Sequence, residues 1–334
     1  MAEWAAWEEW VEWECNRSHS FKNSKRAVFT ALFFWMLYIS LVDIVFCRQI
    51  GYLNFFIRGI KIKVLKTIFK NNFTFTTVTK SKYKIYKWDP SGSEVYLTQC
   101  FTDWGNEYIF LDSIKNRDPG ILLDVGCHTG YFPCLFKNFF NRIIGFEPNS
   151  KSFSVLKNVN MENFEYYQNF VSDETKEVIA IDTEDGWSFQ SEVSRDIVKK
   201  KINQITLDKF SEDKNLKNIT GIKIDVDGID LKVLNGCKNI IKENRPSILI
   251  ENYSNKLIKF FENLDYVLLS LVSSKDKSYN LELEELKNFD QNKWIKMVCC
   301  IPREFEKNYT NYIFKGNFLT GINKKEIKES FLNI

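Results

Sequence analysis

The heptapeptide Asp124-Val125-Gly126-Cys127-His128-Thr129-Gly130 decides the fold of this chain. The apolar run ILLDVG (121–126) reads as a strand buried on both faces, ending in an acid before two glycines four apart. Gly126 permits a tight turn and a close backbone approach, and Gly130 lets the following helix pack near a ligand. Strand, glycine turn and helix in that order form a nucleotide pocket at the carboxyl edge of a sheet. Alone, the same residues also suit a plain turn.

The segments around it repeat the pattern. RIIGFEP (142–148), GIKIDVDG (221–228), SILIEN (247–252), YVLLSLVS (266–273) and WIKMVCCIP (294–302) are further continuous apolar strands. Leu231 to Asn244 carries Leu234, Cys237 and Ile241 on one helical face, and Pro246 stops that helix. Buried strands alternating with helices predict an α/β, doubly wound, mostly parallel sheet that binds ligands beyond its strands' carboxyl ends. Upstream, the alternation from Tyr83 to Trp88 and a turn at Asp89-Pro90-Ser91-Gly92 predict a β-rich N-terminal leader.

Three further acids fall on that carboxyl edge. Glu147 lies 21 residues beyond Gly126, where its carboxylate can accept both hydroxyls of a ribose; the bland alternative is a surface Glu before Pro148. Asp225 and Asp227 end the 221–228 strand as paired acids suited to a general base, a cofactor contact or metal ligation. The competing reading has Asp227 and Asp230 complementing a helix dipole. A GxxxG loop in place of GxGxxG argues against NAD, and Asp124 before the turn suits a cofactor with an amino-acid moiety, as in S-adenosylmethionine (SAM).

Composition narrows the partners. A net charge of +3 demands no nucleic acid, and no Asn/Asp-Pro-Pro-Tyr sequence of DNA amino-methylases occurs. Eight cysteines without a CxxC pair, and only two histidines, leave no zinc-site spacing and read as apolar fillers in a reducing compartment.

In order and spacing, DVGCHTGY (124–131), Phe146-Glu147-Pro148-Asn149, Thr206-Leu207-Asp208, KIDVDG (223–228) and Arg245-Pro246 through Ile250-Glu251 resemble the successive motifs of FkbM-type methyltransferases. The resemblance runs from about Asp89 to Asn252. It implies a Rossmann-like class I methyltransferase fold, SAM as cofactor and O-methylation of hydroxyls on sugars or polyketide-like acceptors. The expected cofactor set is Asp124, Gly126, His128, Gly130, Glu147 and Asp173; the expected catalytic pair is Asp225 and Asp227, with Asp225 as base. A divalent ion held by Asp227 and Glu251 is the alternative use of that edge. The chain departs from the family where Cys127-His128-Thr129 replaces Ala-Asn-Ile, and where Asp227 replaces a glutamate. His128 then stands beside the methionine end of SAM, with direct proton transfer as its second reading. A glycan or glycolipid acceptor leads; the rivals are a non-catalytic SAM-binding scaffold and an NAD-dependent oxidoreductase or epimerase.

The domain plan has four parts: an extension (1–50), a basic linker and β-rich leader (51–115), the methyltransferase domain (116–305) and a C-terminal tail (306–334). The first fourteen residues hold five Glu and Trp at 4, 7, 10 and 13, whereas Arg48 to Lys87 contains no acid. Ala27 to Phe46 is twenty residues of mostly apolar sequence, long enough to cross a hydrocarbon core of ~30 Å. The heavier basic cluster lies C-terminal to it, so a membrane tether at 27–46 leaves the catalytic domain cytoplasmic; a buried or surface-packed helix and a mis-started terminus are the other readings of the segment. The stretch from about Phe73 onward is expected to fold and bind cofactor without what precedes it.

Overall fold

In the computed structural model, residues 51–306 are described, apart from 69–71, 78–79, 87, 99–101, 116, 184–185, 189–197 and 275–280. The proposed anchor at 27–46, the rest of the extension to residue 50 and the tail beyond 306 lie outside them. Among the described residues no helix is long and apolar enough to cross a membrane.

The chain enters through helix α1 (Tyr52–Ile68), a hairpin of β1 (Asn72–Thr76) and β2 (Lys82–Tyr86), and helices α2 (Pro90–Thr98) and α3 (Asn106–Ile114). The leader is therefore mostly helical, with a single hairpin. Pro90 opens α2 because a proline's fixed φ and missing N–H cost nothing in a first turn; the expected turn at 89–92 is a helix start.

The central unit follows as β3 (Ile121–Val125), α4 (Tyr131–Phe136), β4 (Arg142–Phe146), α5 (Ser150–Leu156) and β5 (Phe164–Tyr167). A small sheet of β6 (Phe170–Val171), β7 (Lys176–Thr183), β8 (Gly186–Ser188) and β9 (Val198–Ile205) interrupts it. The unit resumes with α6 (Leu207–Asp213), β10 (Ile219–Ile224), α7 (Asp230–Asn235), α8 (Lys238–Asn244), β11 (Ser247–Ile250) and α9 (Asn255–Phe261). It closes with β12 (Tyr266–Ser274), β13 (Leu281–Glu285), β14 (Lys293–Ile295) and β15 (Val298–Pro302). The nine-stranded sheet runs β13-β12-β15-β11-β10-β3-β4-β5, with β14 beside β12. From β5 to β11 neighbours are parallel, whereas β15 is antiparallel to both β11 and β12. This is a doubly wound α/β fold of the class I methyltransferase kind. Its core strands are apolar on both faces, as β10 shows by being buried along its whole length.

Two expected elements are split. The helix over 231–244 breaks at Gly236, where a Cβ would stand 2.1 Å from the Ser172 carbonyl oxygen. The Asp208 carboxylate then accepts the Asn239 and Ile240 N–H groups, at 3.0 Å each, and starts α8 afresh. The strand over 294–302 parts at Lys296, whose ammonium turns to Glu94 (2.6 Å) and the Thr102 carbonyl (2.7 Å).

Candidate functional site

The carboxyl edge of β4, β3, β10 and β11 carries the site, and Gly126 sets its centre. Its φ of +78° suits glycine, and its N–H and that of Cys127 donate to the Phe146 carbonyl at 2.9 and 3.1 Å. A Cβ there would lie 1.9 Å from the Asp225 carbonyl oxygen. The close approach that demands glycine is thus made by the neighbouring strand end. Gly130 (φ +86°) likewise faces protein: its Cβ would meet Val159 Cγ2 at 2.6 Å, so its role is packing of α4 on the segment after α5. Between them His128 is held in the left-handed region (φ +48°) and donates its backbone N–H to Glu147 Oε2 at 2.8 Å.

Glu147 is buried, and its Oε1 accepts the Asn149 N–H at 2.8 Å. Burial pushes its carboxyl up; the His128 side chain and the two amides oppose that rise. Each oxygen keeps one free lone-pair direction, so the carboxylate is both fixed and able to accept. Trp88 flanks this end, stacked on Tyr86, with Lys151 Nζ 4.7 Å from its ring centroid and His128 edge-on.

Asp124 ends β3 fully buried, with neither carboxylate oxygen hydrogen-bonded among the described residues. Burial pushes it up to about 6, against the pull of Lys223, whose Nζ stands 3.5 Å away. Lys223, also buried, donates to the Gly126 carbonyl at 2.7 Å and lies 3.3 Å from Asp225 Oδ2. Its ammonium caps the Phe132 ring at 4.8 Å. Burial works against that charge, but Asp225 and Asp124 outweigh it and hold the ammonium above the usual lysine range.

Glu251 follows β11, and its N–H donates to the Ile224 carbonyl at 2.9 Å, which sets it beside Asp225. The two carboxyls act on each other electrostatically. Burial and then Asp225 push Glu251 up to about 9. Asp225 goes the other way: burial would raise it, yet Lys223 and Glu251 hold it below the usual carboxylate range.

The other expected residues are dispersed. Asp227 (φ +47°) is exposed in the following turn, beside Gly228 (φ +92°) with open space around it. Asp230 is buried in the first turn of α7, accepting the Val226 N–H at 3.4 Å. Asp173 is exposed, takes the Ser172 hydroxyl at 3.0 Å and runs beside Gly236. Among the described residues no group of three or more His, Cys, Asp or Glu side chains converges to hold a metal.

Sequence reasoning missed three contributors. Lys223 stood inside a quoted motif, and a lysine in a strand apolar on both faces signals a buried partner. Asp103, before α3, has a buried Oδ2 without a hydrogen-bond partner among the described residues; burial and Glu107 push its carboxyl up, and it acts electrostatically on both Asp225 and Glu251. Asp89, fully buried, accepts the Thr129 hydroxyl at 3.2 Å, and Thr129 meets the Tyr83 hydroxyl at 2.6 Å. That chain ties the leader to the glycine loop, and only the fold brings it together.

Residues 124–280 match the family model described as the methyltransferase FkbM domain. No curated protein matches the chain. Among solved structures, it is similar to the methyltransferase FkbM from Methylobacillus flagellatus KT, at 18% identity and a TM-score of 0.36, over 64% of this chain and 55% of that one. The chain thus spans little more than half the length of that protein. A SAM-dependent methyltransferase from Agrobacterium tumefaciens aligns at 7% identity and a TM-score of 0.38, covering 69% of each chain. TrmK of M. capricolum, solved with S-adenosyl-homocysteine (SAH), aligns at 14% identity and a TM-score of 0.32, over 67% of this chain and 79% of that one.

Proposed function

We propose that this chain, whose residues 124–280 match the methyltransferase FkbM domain, is a SAM-dependent methyltransferase that methylates a hydroxyl of a glycan, glycolipid or related small acceptor. The observation that carries the reading is the Asp225–Glu251 pair, set side by side at neighbouring strand ends against the Gly126 loop, with the Lys223 ammonium 3.3 Å from Asp225. A hydroxyl needs a base as its oxygen becomes a nucleophile, and a carboxylate held ionised by a neighbouring ammonium supplies one.

The residues suit SAM. Glu147, immobilised by two backbone amides, keeps a lone pair on each oxygen for the two hydroxyls of a ribose. Asp124 and Asp225 lend negative potential to the edge where a cationic cofactor would rest. When bound, SAM supplies an electrophilic methyl group. Asp225 then accepts the acceptor's hydroxyl proton at a carboxylate oxygen, Glu251 steadies Asp225 from the neighbouring strand end, and Asp103 adds an acceptor for a neighbouring hydroxyl.

Incubating the protein with SAM and a panel of sugar hydroxyl and amine acceptors tests the reading. SAH release with hydroxyl acceptors supports it; release with amines alone overturns O-methylation. NAD binding without SAM binding would favour an oxidoreductase. The same proposal keeps 27–46 as a membrane tether with the catalytic domain on the cytoplasmic side. Support comes from α1, which leaves Leu53, Ile57, Ile60 and Val64 exposed at helical spacing along one face, with exposed Lys61 beside them.

A further inference from the structure

We propose that Lys223 is a positioning residue, whose ammonium ties the Gly126 carbonyl of the cofactor loop to the Asp225 carboxylate on the acceptor side. The geometry is specific. One buried nitrogen donates to Gly126 at 2.7 Å, faces Asp225 Oδ2 at 3.3 Å and Asp124 Oδ1 at 3.5 Å, and closes its fourth side on the Phe132 ring. Its partners come from two adjacent strand ends, since Lys223 pairs with Asp124 in the β10–β3 register. A lysine is isolated from water at such a place only if every one of its donors is used.

Two consequences follow. The loop carbonyl at Gly126 cannot shift without moving the ammonium away from Asp225, so loop position and acceptor-side charge are coupled. The ammonium also decides which member of the Asp225–Glu251 pair keeps a proton. Asp225 faces Lys223 from its own strand, Asp124 from β3, His128 from the glycine loop and Glu251 from the end of β11. Asp103 from the loop before α3 and Asp230 from α7 act on it as well. Apart from the partly exposed His128, the only cation in that set is Lys223. Without it, four other carboxyls would face Asp225 and its proton would return.

The inference rests on the Gly126 loop as the SAM site, and its test separates the two. Replacing Lys223 alone strands Asp124, so two double variants of the full-length chain are compared: Asp124→Asn with Lys223→Met, and Asp124→Asn with Lys223→Gln. Calorimetry with SAH reads the loop, and carboxyl ¹³C NMR across pH, with Glu251→Gln for assignment, reads the pair. Loss of the loop contact weakens SAH binding about tenfold in the Met variant, the scale of one charge-assisted hydrogen bond, and the Gln variant, which keeps a donor, recovers most of it. In both, the lower ionisation of the pair rises by about one pH unit or more, a response that a mere packing defect does not produce. Unchanged SAH affinity in the Met variant, or an unmoved lower ionisation in either, overturns the tether. Wild-type protein that binds no SAH overturns the cofactor site itself.

Discussion

At the scale of single residues, the site is built by side chains and glycines that face protein first and ligand second. Gly126 is required by the Asp225 carbonyl, so Gly126→Ala forces apart β3 and β10 at their tips. With φ at +78° as well, the variant should lose more than about 1 kcal/mol of stability, read by denaturant unfolding, along with SAH binding. Glu147→Ala removes the fixed carboxylate and should cost roughly 1–3 kcal/mol of SAM affinity by calorimetry; an unchanged value would move the ribose elsewhere. Asp225→Asn should lower turnover by ~10²–10⁴-fold while SAM affinity stays within a few-fold of wild type. If that variant instead loses SAM binding, Asp225 belongs to the cofactor; if it keeps full rate, His128 is the next base to test.

At the scale of elements, the ends of β10 and β11 place Asp225 and Glu251 side by side, and this has a pH signature. Glu251 has its folded carboxyl raised from 4.5 to about 9, so between those values the native state binds a proton that the unfolded chain has released. Stability from this group therefore declines as pH rises through that window. Asp225, held low, has the opposite sign: its contribution is present above the ordinary carboxylate range and is lost as pH falls toward its lowered value. Glu251→Gln should accordingly flatten the decline in Tm between pH 4.5 and about 9, measured by thermal unfolding in a pH series. An unaltered slope would mean that Glu251 carries no extra proton. The break between α7 and α8 belongs to this scale too. A continuous apolar periodicity over 231–244 could not reveal that Ser172 would press against Gly236 or that Asp208 would cap a second helix.

At the scale of the whole molecule, the leader is part of the methyltransferase domain. α1 buries Phe55 and Ile62, Arg58 donates to the Leu97 carbonyl at 3.0 Å, and the Tyr83–Thr129–Asp89 chain reaches the glycine loop. A chain starting at Phe73 would keep the Tyr83–Thr129–Asp89 chain but lose the α1 contacts, which bears on the expectation that the sequence from there is self-sufficient. Deleting residues 1–48 should retain SAH binding and move the protein from the membrane to the supernatant after high-speed sedimentation. Deleting 1–72 should lower Tm markedly. Full-length protein already in the supernatant without detergent would end the tether proposal, whatever the exposed face of α1 does.

The succession of buried strands, the glycine loop and the acids at strand ends were legible in the chain alone, because burial on both faces and left-handed turns each restrict residue type locally. The family's motif order lay there as well. What only the tertiary structure decided was direction and partnership. It turned Gly130 toward Val159, set Asp173 beside Ser172, left Asp227 in solvent, paired Asp225 with Glu251 and buried Lys223 among them. Those outcomes depend on contacts between residues tens of positions apart, from Lys223 with Gly126 to Thr129 with Asp89, and no local pattern encodes which distant group will satisfy a buried charge.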